Sequence, residues 1–514
     1  MTKIRKNQQG GILVFLIIFT AVFAIIMLPI VQNFAGKLQL LKTAIIREQA
    51  LQIAEAGLNY YQWHLVQFPN DYQDGTGHAG PYVHDYIDYD TQEIIGQFSL
   101  TVTAPQEGQT TVIIESVGWT NDSPNAKRTV IAIYGTPSLA NYALLAHDWI
   151  YAWNTEVYTG PTHSDTGIRF EGTTQSAVTS SVQSTYADDC NQEYPENPYC
   201  SSQVTRDAIW ALGSNKSQSQ PYWNHPTTTA DFTGISVAFS TIMSKSNLSG
   251  NINLPSYSLG YSLVFNSDGT VTVYKILKTT NSGALFPITT ALSNGTDTAL
   301  RTLNGGSDYA SGICTKTNCS SCGSNGRCLQ YTKTIPSNGL VVYASNNLWV
   351  EGTVKGRVIV ATANGATDVW SMPNIYISNN LRYSDATQGS NGDTGPTGPD
   401  ADTIGLMAEG NIIVTKNAPN NVYVDAALLS QNGFIAAPIC YSGGSAKSNI
   451  YFFGSLILHG SWWFNFTNYC GSSFTDGYLY PHFNWDTNLL YYPPPYFPAS
   501  SVSAGLQMIK WTSD

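Results

Sequence analysis

The stretch from Ile12 to Val31 reads ILVFLIIFTAVFAIIMLPIV and carries no charge. Coiled as a helix, these residues rise about 30 Å, the thickness of a bilayer's hydrocarbon core. Lys3, Arg5 and Lys6 precede the run with no acid beside them. The positive-inside bias therefore leaves the N-terminus in the cytoplasm and sends the bulk of the chain across. A cleaved signal peptide would have a shorter apolar region closed by a small-x-small site. Here the run passes through Pro29 and Gln32 into more helix-compatible sequence.

From Lys37 to His64 there is no proline, and Leu40, Ala44, Leu51, Ala54, Leu58 and Tyr61 recur at helical spacing. That spacing predicts one helix over residues 12–64, about 80 Å long, with a single apolar stripe that needs a partner. A short basic leader ending in Gly10-Gly11, an apolar helix containing Pro29, and Gln49-Ala50-Leu51-Gln52-Ile53-Ala54-Glu55-Ala56-Gly57-Leu58 follow one another. Together they resemble the N-terminus of PilX-type minor pilins of type IV pili, over about residues 1–65. The resemblance implies that residues 1–11 are a leader cut after Gly10 or Gly11 by a prepilin peptidase. It also implies an assembly helix, marked by Pro29 and Glu55, that joins other pilins and the assembly platform. Most major pilins carry a glutamate five residues into the mature chain, whereas Phe15 or Leu16 stands there in this one. That departure implies a minor or tip subunit, or an uncleaved anchor. Read without the resemblance, Glu55 is a solvated carboxylate on a helix face.

Composition narrows the rest. Of 514 residues only 11% are charged, and the net charge is −11 with no basic cluster beyond the first residues. A nucleic-acid partner is not expected from so few and so scattered cations. The length allows several domains and at least one large core. Residues 97–103, 111–117 and 127–134 alternate like strands between turn sequences, which predicts a small antiparallel sheet over residues 65–137 able to cover one helix face.

Beyond Pro137 short apolar strands recur between glycines and asparagines, among them Leu340–Tyr343, Leu348–Val350, Arg357–Ala361, Ile375–Ile377 and Ile412–Val414. None is long enough to bury its own face, and stacking successive coils would do so. Asn346-Asn347, Asn379-Asn380, Asn411 and Asn449 can form ladders at the corners. The fold class is thus α+β: a long transmembrane pilin-like helix, a small antiparallel sheet, and a large mainly-β domain over residues 138–514. A right-handed β-helix is the expectation for that domain. A β-sandwich is the alternative, since no strict hexapeptide or nonapeptide period is present. Thr159–Phe170 reads as a first coil, and about residues 180–335 as an insertion with its own hairpin around Asn266-Ser267-Asp268-Gly269. Gly389, Gly392, Gly395 and Gly398 make too few triplets for a collagen helix and read as a surface loop.

All eight cysteines, Cys190, Cys200, Cys314, Cys319, Cys322, Cys328, Cys440 and Cys470, follow the apolar run, and an even count in an exported region predicts disulfides. The spacing C-x4-C-x2-C-x5-C from Cys314 to Cys328 also suits tetrahedral zinc, but thiols in an oxidising compartment pair first. Cys190 with Cys200 and Cys440 with Cys470 are natural pairs among the on the order of 100 pairings that eight cysteines allow. His163, Asp165, Arg169 and Glu171 form the one acid/base candidate, with hydrogen-bonded corner residues as the plainer reading. No nucleotide, zinc-protease or hydrolase motif is present, so no catalytic, cofactor-binding or metal residue and no cofactor is assigned. The aromatic C-terminal region offers Trp462, Trp463 and Trp485 as ligand contacts, or caps an open β-domain end. The expected function is a membrane-anchored minor pilin-like subunit displaying an extracytoplasmic β domain for assembly and adhesion. Its expected partners are other pilins, the assembly platform, membrane lipid and a glycan or other surface ligand. The alternatives are a free-standing anchored adhesin and a tethered β-helix enzyme that degrades polysaccharide.

Overall fold

The computed structural model describes the chain outside residues 1–8, 106–107, 110, 189–202, 233, 281–284, 287–300, 303–307, 310–312, 315–318, 323–325, 370, 438–445, 461, 468–474, 500–506 and 514. The chain forms two compact units, one of residues 1–104, 112–134 and 510–514, the other of residues 105–111 and 135–509.

The first unit begins with a helix from Gln9 to Gln67, 59 residues with Pro29 inside it. It stops where Phe68 precedes Pro69, because a residue before proline avoids the helical region. Its last turns bury Ala50, Ile53, Ala54, Leu58, Tyr61 and Leu65. The sheet beneath them runs in the order Tyr82–Ile87, Ile94–Thr103, Val112–Thr120, Ser123–Gly135 and Gln507–Ser513, and its first four strands pair antiparallel. Glycine permits the close approach: a Cβ on Gly118 would stand 2.4 Å from the Ala50 carbonyl oxygen and the Ala54 nitrogen. Within the chain the sheet covers only the C-terminal part of the expected stripe, since Leu40 is 72% exposed and burial starts at Ala50. The sheet also has two strands more than expected, Tyr82–Ile87 and the distant Gln507–Ser513.

The second unit is built from parallel ladders. In the first, Ile252, Val342, Val360, Leu406, Leu428, Leu456, Leu144, Thr162, Val178 and Trp223 stand in one register column. At the usual interstrand spacing such a column is about 43 Å tall. A second ladder aligns Tyr261, Leu348, Ile375, Ile412, Ile435 and Trp462. A third aligns Leu381, Val424, Phe452, Phe483, Tyr158 and Thr174. Hairpin-linked sandwich sheets would pair in the antiparallel sense instead. Side chains from all three ladders meet in one apolar core.

Rung order departs from chain order. Leu144–Ala146, at the start of the unit, pairs with Leu456–Leu458 near its end, and Thr475–Trp485 lies between Lys447–Leu458 and Val157–Tyr158. The chain then passes from Asn224 at one end of the stack to Ile252 at the other. On the way the helix Gly234–Ser246 packs Ile235, Ala238, Phe239 and Ile242 over Val341, Tyr343, Ile359 and Ala361. The first ladder is apolar on both faces for this reason, and strands such as Leu340–Ala344 and Arg357–Thr362 are buried at every position.

The insertion expected over residues 180–335 is therefore corrected. Ile252–Leu254 and Tyr261–Asn266 are rungs in parallel register with Val342–Ala344 and Leu348–Gly352, and Trp223–Asn224 is a rung at the opposite end. The hairpin Tyr261–Asn266/Thr270–Ile276 is present, but it extends the stack rather than a separate lobe. An asparagine ladder turns one corner: Asn347 Oδ1 accepts from Asn374 N–H, Asn374 Oδ1 from Asn411 N–H, and Asn411 Oδ1 from Phe434 N–H.

Candidate anchoring helix and surface groove

The N-terminal helix leaves its apolar side chains uncovered within the chain. Phe15 is 79% exposed and Phe19 71%, and exposure continues through Phe34, Leu38, Leu41 and Ile45. Among the described residues it is the helix long and apolar enough to cross a membrane, with a most apolar window of mean hydropathy 3.1. Gly11 is exposed near the helix start with open space around its Cα, and Gly10 lies in the same first turns. Pro29 sits mid-run, and Glu55 is half-buried in the last, sheet-covered third.

Of the cysteines, Cys314 pairs with Cys322 and Cys319 with Cys328, each with Cα atoms less than 6 Å apart (5.6 and 5.7 Å). These disulfides occupy the thiols that the zinc alternative requires. Cys190, Cys200, Cys440 and Cys470 lie outside the described residues.

The four acid/base candidates separate into two networks. Asp165 accepts from His147 Nδ1 at 2.8 Å, faces His163 Nε2 at 3.2 Å, and accepts from Ala230 N–H at 2.8 Å. Burial alone would raise its pKa, but the hydrogen bonds from His163, Ala230 and His147 outweigh it and hold the carboxyl below its ordinary value. Glu171 accepts from Arg169 Nε, Leu212 N–H and Gly213 N–H at 2.6–2.9 Å, and these contacts likewise overcome burial and keep it ionised. Both carboxylates are engaged within the fold: Asp165 ties His147 and His163 to the backbone at Ala230, and Glu171 ties Arg169 to the backbone at Leu212 and Gly213.

Trp462, expected as a ligand contact, is instead a core residue at 7% exposure, packed edge-on to Phe483. Its indole also reaches the carboxyl of Glu156. Trp485 is half-buried and donates from Nε1 to the Ala140 carbonyl at 3.1 Å, so it ties the C-terminal region to the first turn of the unit. The side chain of Trp463 lies outside the described residues.

Two features escaped the sequence. One is a set of buried carboxyls: burial pushes Glu156 and Asp486 each up to about 7. Glu156 accepts from Tyr158 Oη at 2.6 Å and Trp153 N–H at 2.8 Å. Asp425 is raised well above the carboxylate range by burial and by neighbouring Asp393, which Arg382 clasps with two hydrogen bonds of 2.6 and 2.8 Å. The other is a groove of about 400 Å³ at the end of the third ladder, lined among others by Val157, Thr173, Gln175, Ser176, Gln218 and Tyr222. Its residues come from two successive rungs and from a turn some 40 positions later, so no local motif announces it.

No family model and no curated protein matches the chain. Among solved structures, the competence-associated pilin ComZ from Thermus thermophilus aligns over 91% of this chain and 97% of that one, at 12% identity and a TM-score of 0.30. A likeness so loose carries no argument about function.

Proposed function

We propose that the chain is a single-pass, membrane-anchored pilin-like subunit of the PilX type that displays its second unit, a right-handed β-helix, on the extracytoplasmic side. One observation carries this reading. Ile12–Val31 matches a bilayer in length, yet exposed apolar side chains continue along the same helix through Phe34, Leu38, Leu40, Leu41 and Ile45, about 20 Å past it. Lipid covers the first part. The part beyond requires partner helices, because water penalises uncovered apolar surface by about 25 cal/mol per Å². In this reading a prepilin peptidase cuts beside Gly10 or Gly11, and neighbouring pilins cover the remainder on assembly. The second unit then serves assembly and adhesion, and no residue is assigned a catalytic part.

N-terminal sequencing of the protein recovered from membranes, combined with a photo-crosslinker at Leu38, tests the proposal. The expected result is a new N-terminus beside Gly10 or Gly11 and crosslinks to other pilins. An intact Met1 with crosslinks to lipid alone would instead establish a free-standing anchored protein.

A further inference from the structure

The groove at the end of the third ladder is lined by nine residues, and none carries a charge. We propose that it binds a neutral oligosaccharide. This binding deepens the display role of the second unit and does not depend on how the chain is anchored.

The lining selects among ligand classes. A phosphate, a uronic acid or an ionised peptide would give up hydration without meeting a counter-charge, which is unfavourable by several kcal/mol when a charge is buried unpaired. A purely apolar ligand would strip water from amides and hydroxyls and leave them unsatisfied, at about 1–3 kcal/mol per group. A neutral sugar chain avoids both penalties, because each ring presents an apolar C–H face and a rim of hydroxyls.

The groove supplies the matching pair. Tyr222, 38% exposed, and Val157, 47% exposed, offer apolar contact. Gln175 and Gln218 each offer a donor pair and an acceptor, and among the described residues neither amide takes a side-chain hydrogen bond within the protein.

The floor is fixed in advance. Thr174 Oγ1 donates to the Tyr158 carbonyl at 3.0 Å, Ser176 Oγ donates to the Thr159 carbonyl at 3.0 Å, and Ser176 N–H donates to Thr174 Oγ1 at 3.0 Å. Beneath it the Tyr158 ring stacks on Phe483 at 4.8 Å. A rigid floor lowers the ordering penalty of binding. At about 400 Å³ the groove falls within the usual range of ligand sites and accommodates a short run of sugar rings.

The test uses the full chain in detergent micelles, titrated with maltohexaose, cellohexaose and chitohexaose as neutral probes and hexagalacturonate as the anionic control, read by saturation-transfer NMR and calorimetry. At least one neutral probe is expected to saturate while hexagalacturonate does not. Tyr222→Ala and Gln218→Ala should each weaken that binding about tenfold, equivalent to about 1.4 kcal/mol. Both side chains are exposed, so the melting temperature should stay unchanged and exclude unfolding as the cause. The proposal is overturned if no neutral probe saturates at millimolar concentration, if hexagalacturonate binds equally well, or if both variants bind like the parent. Any of these leaves the anchoring reading standing, because N-terminal sequencing reports on that separately.

Discussion

Charge placed at the centre of the apolar run gives the sharpest test of anchoring. Fifteen of the twenty residues from Ile12 to Val31 are Leu, Ile, Val or Phe. At about −0.3 to −0.6 kcal/mol each, they favour insertion by roughly 5–9 kcal/mol, and Arg at the helix centre opposes it by about 2.5–3.5 kcal/mol. Val22→Arg therefore removes about 3–4 kcal/mol and leaves insertion favourable. Ile18→Arg together with Val22→Arg removes about 6–8 kcal/mol and brings the balance to zero. Alkaline carbonate extraction of membranes reads the outcome: the single variant should stay in the pellet and the double variant should move largely to the supernatant. A double variant that remains fully membrane-bound would refute the assignment of Ile12–Val31 as the spanning segment. So would a single variant that is fully released.

Gly118→Val should uncouple the helix from its sheet, since the new side chain meets the Ala50 and Ala54 backbone; a loss of about 1–3 kcal/mol is expected, with faster amide exchange between Ala50 and Leu65. Because the folded pKa of Glu156 lies near 7, above its ordinary value, its contribution is full below about pH 4.5 and is lost as pH rises through about 7. Urea midpoints should accordingly fall between pH 5 and pH 8, by up to about 3 kcal/mol in stability for this group, and Glu156→Gln should flatten that slope. Non-reduced peptide mapping should recover Cys314 linked to Cys322 and Cys319 linked to Cys328, and any other pairing of these four would contradict the fold of that segment. Leu428→Ala, in the middle of the first ladder's column, should destabilise the second unit by about 2–5 kcal/mol in thermal unfolding.

What could be read in advance depends on the range of the interactions. The N-terminal helix is legible because twenty consecutive residues decide it, and three strands of the small sheet because each alternates locally. Short buried strands such as Arg357–Thr362 are legible as strands, but their partners are not. Leu144 pairs beside Leu456 with nothing in either sequence to mark the other, and the same distance hid Gln507–Ser513 from the small sheet. How the stripe is shared out was not legible either: Leu40 and Ala44 keep the helical spacing of Ala54 and Leu58, yet the chain's own sheet meets the helix only from Ala50 onward. Aromatic residues misled where burial decides their part, as at Trp462. The groove stayed hidden because Gln218 and Tyr222 reach Thr173 only through the stacking of rungs.

The displaced rung order also explains how a large β unit can be inserted in the chain of a small one. Its beginning and its end are neighbours: Ser138 bridges to Ala499, and Leu139 N–H donates to the Pro498 carbonyl at 2.9 Å. Leu144–Ala146 enters the stack directly on Leu456–Leu458, so the unit closes on itself between two strands of the small sheet, Ser123–Gly135 and Gln507–Ser513. A domain whose ends meet can be spliced into a loop without altering the strand order of its host, because the host sees only a short connection. The long passage from Asn224 to Ile252 is the consequence. Once the first rungs are laid on top of the last ones, the chain must travel the length of the stack to reach the far end. The helix Gly234–Ser246 turns that passage into the cover of an otherwise exposed apolar ladder face.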